Sequence, residues 1–228
     1  MYEHIKTNWE NIQIRVASAA RKTGRKPEEI SIVAVSKLFP EEAIRAAIES
    51  GITDFGESRI QEAEKKINAI GNQARWYLIG HLQTNKAKKA VGLFDMIQSI
   101  DSFILAQLID EFSRQSGKTI DCLLEINSSG EKSKFGLEPT EALIMIERVA
   151  ELKNINLSGL MTVGPLTDDE AQLRKSFSLT ADLFRKGRQL VGDNFRFLSM
   201  GMTSDFEIAI DERSNMIRIG TGIFGERK

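Results

Sequence analysis

ISIVAVSKLFPEEAIRAAIESGITDFGESR, residues 30–59, decides the fold. Its first part, Ile30 to Ser36, is a short apolar run of the kind a strand buried on both faces needs. Pro40 then opens a helical pattern whose buried side carries Ala43, Ala47 and Ile48. Ile52 to Gly56 returns to an apolar run. Upstream, Ile5, Trp9, Ile12, Val16 and Ala19 share one helical face until Gly24 and Pro27 stop it. Downstream the alternation continues, with candidate strands at Trp76 to Gly80, Met96 to Ser99, Ile120 to Asn127, Leu157 to Val163, Phe195 to Met200 and Met216 to Gly220. Amphipathic segments separate them, as in Phe103, Ala106, Ile109 and Phe112, or Phe177, Ala181 and Phe184. Such alternation predicts a parallel α/β fold, and eight strands in 228 residues fit one closed (β/α)8 TIM barrel. Little chain follows the last run. The N-terminal helix is therefore expected to complete the outer helical ring. No repeat, low-complexity tract or linker breaks residues 1–228, so one domain is expected.

Thirty-one basic residues nearly cancel thirty-two acidic ones, which leaves no electrostatic footprint for nucleic acid or a membrane surface. No apolar run has the length of a signal peptide or a transmembrane helix, and the lone cysteine, Cys122, permits neither an intrachain disulfide nor a multi-cysteine metal site. A cytoplasmic location follows as the expectation. A monomer is expected too, and nothing in the sequence names a protein partner.

In a barrel of this kind the chemistry gathers where strands end, because the loops that follow share one rim. The expected strand ends are rich in polar and glycine residues: Ser36-Lys37, Gly56-Glu57-Ser58-Arg59, Gly80-His81, Ser199-Met200-Gly201-Met202-Thr203 and Gly220-Thr221-Gly222. Glycines and small hydroxyls after strands seven and eight suit a phosphate site, although they would equally make tight turns. Lys37 closes an apolar strand. Desolvation or a neighbouring cation there would turn its amine into a carbonyl nucleophile; the alternative is a lysine that merely snorkels from the end of the strand. Arg218 alternates with Met216 and Gly220, so an inward-pointing face would put a guanidinium in the barrel mouth, where it needs an anion or a polar partner. A phosphorylated aldehyde would occupy both cations.

VAVSK at 33–37, FGESRIQE at 55–62, IGHLQTNK at 79–86, SGEKSKFGL at 129–137, GLMTVG at 159–164, LSMGMTSDFEIAI at 198–210 and RIGTGIFGER at 218–227 resemble, in order along nearly the whole chain, the pyridoxal phosphate homeostasis family. That family consists of single-domain relatives of the alanine racemase fold-type III barrel. The resemblance implies pyridoxal 5'-phosphate (PLP) held as a Schiff base on Lys37. It also implies that Ser199, Gly201, Met202, Thr203, Gly220 and Thr221 hold the phosphate, while Arg218 faces the pyridine nitrogen and weakens the ring as an electron sink. Ser58 stands where the family usually has asparagine, Thr203 where serine is common, and Asn215 where threonine is frequent. The first departure removes an amide expected near the cofactor ring. The second keeps its hydroxyl.

Other signals carry less. Gly220, Gly222 and Gly225 spell G-x-G-x-x-G without the helix and distant acidic residue of a dinucleotide site. His4 and His81 lack the clustered partners of a metal site, so none is expected, and Cys122 reads as a buried inert thiol. The stretch from Ser128 to Lys134 reads either as a basic lip over the site or as a plain surface loop. The family resemblance implies a role in vitamin B6 homeostasis, as a carrier or buffer of PLP and related vitamers rather than a conventional enzyme. Two alternatives stand beside it, a weak PLP-dependent amino-acid racemase and a PLP-responsive interaction protein. The racemase would need a tyrosine base opposite the lysine. Tyr2 in the first helix and Tyr77 within the third strand are poorly placed for that.

Overall fold

The computed structural model describes residues 2–131 and 133–226. Eight strands, β1 (Ser31–Val35), β2 (Asp54–Glu57), β3 (Arg75–Leu78), β4 (Met96–Ile100), β5 (Ile120–Ile126), β6 (Ile155–Thr162), β7 (Phe197–Ser199) and β8 (Met216–Ile219), pair in parallel in sequence order. β8 closes on β1, with Ala34 opposite Ile219, so no sheet edge is left to solvent. Each run expected from the sequence holds a strand, with ends displaced by one or two residues in most cases.

The helices are α1 (His4–Lys22), α2 (Glu41–Glu49), α3 (Ile60–Ile70), α4 (Ala87–Leu93), α5 (Phe103–Gln115), α6 (Ala142–Ala150), α7 (Glu170–Val191), α8 (Phe206–Asp211) and the single turn α9 (Thr221–Phe224). Asp169 caps α7 by accepting from the amides of Ala171 and Gln172, and Ser102 caps α5 through the Leu105 amide. α1 packs against α2, α8 and α9. Asn8 donates to the Ile223 carbonyl and His4 Nε2 lies 3.1 Å from the Phe224 carbonyl oxygen, so the N-terminal helix does fill the outer ring beside β8.

Strand alternation divides the core in two. Val33, Tyr77, Met96, Leu123, Met161 and Met216 point inward and fill the barrel, whereas Ala34, Phe55, Trp76, Ile97, Leu124, Leu160, Leu198 and Ile217 face the helices. The apolar plug stops at the level of Met216. One inward position further along, β4, β5, β7 and β8 carry the buried polar residues Gln98, Glu125, Ser199 and Arg218, and that change begins the mouth.

Candidate functional site at the barrel mouth

Lys37 leaves β1 in a tight turn, closed by the Phe39 amide on the Ser36 carbonyl, and is partly buried. The next residue, Leu38, has φ 68°. That left-handed conformation is unfavourable for leucine. The turn is held by a buried cluster that sequence reading did not identify. Lys66, 6% exposed on α3, donates to the Ser36 carbonyl at 2.7 Å, to Glu57 Oε1 at 2.6 Å and to Glu62 Oε1 at 2.6 Å. The Ser36 hydroxyl donates to Glu57 Oε1 at 2.6 Å, and Glu62 Oε1 accepts the Leu38 amide at 2.5 Å. Burial pushes the Glu57 carboxyl upward against the pull of Lys66 and Ser36. For Glu62 burial acts in the same direction, but Lys66 and the Leu38 amide outweigh it and hold the group below its ordinary range.

Inside the mouth, Arg218 does face inward from β8 and is 3% exposed. Its Nη1 donates to Ser199 Oγ at 2.6 Å and its Nη2 to the Thr162 carbonyl at 2.8 Å. Ser199 Oγ in turn donates to Gln98 Oε1 at 2.7 Å. Burial lowers the guanidinium to about 10, against the attraction of Glu125 and Asp205, so it stays cationic at neutral pH. Glu125, buried on β5, is pushed up to about 7 by burial and by the Asp101 carboxylate, with Arg218 opposing. It therefore titrates near neutrality. An acidic residue in the apolar run IDCLLEI was the signal that could have picked it out.

The loop after β8 lies beside the β1 turn, because β8 is the barrel neighbour of β1, and the loop after β7 comes next beyond it. Gly201 at φ 96° lets its carbonyl accept the Arg218 amide, and Thr203 Oγ1 accepts the Gly222 amide at 3.2 Å, which locks the two loops together. The Met202 amide is taken by Asp205 Oδ1 at 2.5 Å, while the Met202 side chain is exposed. Among the described residues, the amides of Thr203, Ser204 and Thr221 have no hydrogen-bond acceptor. Three free amides with the hydroxyls of Thr203 and Thr221 form a neutral donor set suited to a phosphate. A lysine on the neighbouring strand end suits an aldehyde. The residues present thus fit a phosphorylated aldehyde such as PLP.

Of the residues the sequence singled out, Lys37, Gly201, Thr203, Gly220 and Thr221 come together on one rim, with Arg218 beneath them. Ser199 lies lower, and its hydroxyl is committed to Arg218 and Gln98. Gly80 permits the close approach of Ser58, since a Cβ on it would lie 2.5 Å from the Ser58 carbonyl oxygen. The lip is described except for Lys132: Lys134 donates to the Gly164 carbonyl at 2.9 Å and pairs with Glu131, and Phe135 stacks on His81 with ring centroids 3.7 Å apart. His81 also pairs with Asp101 at 3.1 Å. The segment therefore spans from the β3 loop to the β6 loop. Tyr77 points into the barrel floor, where its hydroxyl donates to Asp54. Cys122 is buried and its thiol is pushed far up by desolvation. The described residues hold no cluster of metal-ligating side chains.

A family profile described as the alanine racemase N-terminal domain matches residues 3–228. The pyridoxal phosphate homeostasis protein of Aquifex aeolicus is 36% identical over 215 residues, covering 94% of each chain. That of Haemophilus influenzae is 35% identical over 228 residues, covering 98% of this chain and 96% of its own. Among solved structures, PipY of Synechococcus elongatus with PLP bound superimposes with a TM-score of 0.78 at 33% identity, covering 92% of this chain and all of PipY.

Proposed function

The chain belongs to the alanine racemase N-terminal domain family and, within it, to the pyridoxal phosphate homeostasis proteins, and from that premise we propose that it binds PLP covalently on Lys37 and acts in vitamin B6 homeostasis as a carrier or buffer. The observation that carries this reading is the grouping, on the successive ends of β1, β8 and β7, of the Lys37 turn with the unfilled amides of Thr221, Thr203 and Ser204. When bound, PLP supplies an aldehyde that condenses with a primary amine with loss of water. The chain's own residues do the rest. Thr203, Ser204 and Thr221 donate to the phosphate, Gly201 and Gly220 shape the loops that carry those donors, and Lys37 provides the amine. Arg218, fixed by Ser199 and Thr162, would present its cation to the ring nitrogen. A cation there opposes protonation of the ring and so weakens it as an electron sink.

Carrier function is favoured over racemisation by the tyrosines. Tyr77 is engaged with Asp54 at the far end of the barrel, and Tyr2 belongs to the α1 region on the outside. Neither can serve as a second base at the mouth. No helix among the described residues is long and apolar enough to cross a membrane. With the near-balanced charge, we place the protein in the cytoplasm as one barrel domain that acts on small vitamers rather than on nucleic acid. Borohydride reduction of the PLP-incubated protein, followed by peptide mass spectrometry, tests the reading. A phosphopyridoxyl mass on the Lys37 peptide is expected, and its absence from Lys37→Ala. Label on another lysine would overturn the assignment.

A further inference from the structure

A buried lysine with two carboxylates is an expensive way to fill the space between a strand and a helix, since apolar side chains of similar size often give equal or better stability. The cluster on Lys66 therefore asks for a role other than stability. Its contacts are not scattered. The ammonium uses its three donors on the Ser36 carbonyl, Glu57 and Glu62, and the bonds of 2.6–2.7 Å have the length of charge-assisted pairs. Glu57 also takes the Ser36 hydroxyl, and Glu62 also takes the Leu38 amide. Residue 36 is thus tied to the ammonium directly and residue 38 through Glu62, and residue 37 lies between them. Leu38 sits at φ 68°, a conformation that leucine leaves readily unless its surroundings hold it. Glu57 Oε2 is buried without a partner among the described residues, which indicates that the cluster is organised around the turn rather than around satisfying its own members.

We propose that Lys66 is a positioning residue for Lys37: with Glu57 and Glu62 it clamps the backbone on both sides of that residue and so fixes the direction in which the amine is presented to the mouth. This rests on the assignment of Lys37 as the PLP-bearing residue. The clamp acts on the backbone alone, and Lys66 itself does not touch the ligand. Its removal leaves Lys37 chemically intact but allows the turn to relax from the left-handed conformation at Leu38.

The test uses the full chain and two readouts. One is the rate at which pyridoxal, which lacks the phosphate, is trapped on Lys37 by borohydride. The other is the induced circular dichroism of the visible band per molecule of PLP bound, which reports a fixed ring orientation. Lys66→Met should slow trapping by about tenfold, the scale of a misplaced reacting group, and reduce the induced ellipticity per bound PLP. Glu62→Ala should do the same, whereas Glu62→Gln, which keeps an acceptor for the Leu38 amide, should stay close to wild type. Glu62 lies nearer the surface, so its pair of variants decides the matter if Lys66→Met does not fold. Trapping and ellipticity unchanged in Lys66→Met, or in Glu62→Ala, would overturn the clamp while leaving Lys37 as the site. A wild-type protein that carries no label on Lys37 would overturn both.

Discussion

Replacing Glu125 by glutamine should make the ligand-free protein more stable at alkaline pH and leave it little changed in mild acid. The native carboxyl is pushed up to about 7, from an ordinary 4.5, by burial and by Asp101, in spite of Arg218. Raised in the folded state, the group contributes stability that is fully present below about pH 4.5 and is lost as pH rises through about 7. Between those values the unfolded chain releases its proton and the folded one does not. At ~1.4 kcal/mol per pH unit the whole interval is worth about 3 kcal/mol, of which about 2 to 3 kcal/mol falls between pH 5 and pH 8.5. Glutamine has the shape of the protonated acid and does not titrate. Urea unfolding followed by the fluorescence of buried Trp76 should therefore show wild type losing about 2 kcal/mol or more against Glu125→Gln over that range. Parallel stability curves would mean that Glu125 is ionised throughout, and would refute the account of a carboxyl kept protonated by its surroundings.

Ser199→Ala removes the hydroxyl between Arg218 and Gln98 and should cost about 1 to 3 kcal/mol of stability, weakening pyridoxal and PLP binding alike. Unchanged stability with a loss confined to PLP would instead make Ser199 a phosphate ligand. Gly201→Ala puts a Cβ 2.6 Å from Ala209 Cβ and 2.9 Å from Phe206 Cα at φ 96°, and should cost about 2 kcal/mol or more. A thermal midpoint within a degree of wild type would show that the β7 loop accommodates the methyl group.

The barrel was legible because parallel strands buried on both faces read as continuous apolar runs, and the runs from Ile30 and Met216 are unambiguous in that respect. Alternation put Arg218 on one face with Met216 and Gly220, and the fold turns that face inward. The clamp was not. Lys66 lies four residues after Glu62 on a helix, a spacing that usually marks a solvated ion pair, and only the fold reveals that both reach under the β1 turn. Glu57 was noted as a strand-end residue, but its parity sends it outward to α3 rather than into the mouth. Ser199 illustrates the converse difficulty. A serine at a strand end offers a hydroxyl to whatever lies near, and whether that is a phosphate or a guanidinium depends on one level of barrel depth that sequence spacing does not encode. Met202 likewise has an amide in the right loop, yet Asp205, three residues on, claims it.

The charges of the mouth follow from which partners Arg218 has. Among the described residues its guanidinium is met by two neutral oxygens, Ser199 Oγ and the Thr162 carbonyl, and not by a hydrogen-bonded carboxylate. Glu125 and Asp205 attract it from a distance, but burial raises both carboxyls, and Glu125 is near half protonated at neutral pH. An ionised carboxylate bonded directly to Arg218 would have cancelled the cation. A fully apolar setting would have left the guanidinium without acceptors, at a cost of several kcal/mol. Neutral acceptors close by satisfy the donors, and carboxyls further off, raised by burial, leave the positive charge in place. The chain's overall balance of acids and bases conceals this. On the proposed reading, the site for an anionic ligand is built locally, from backbone amides that carry no formal charge, above one cation whose counter-charges are held back.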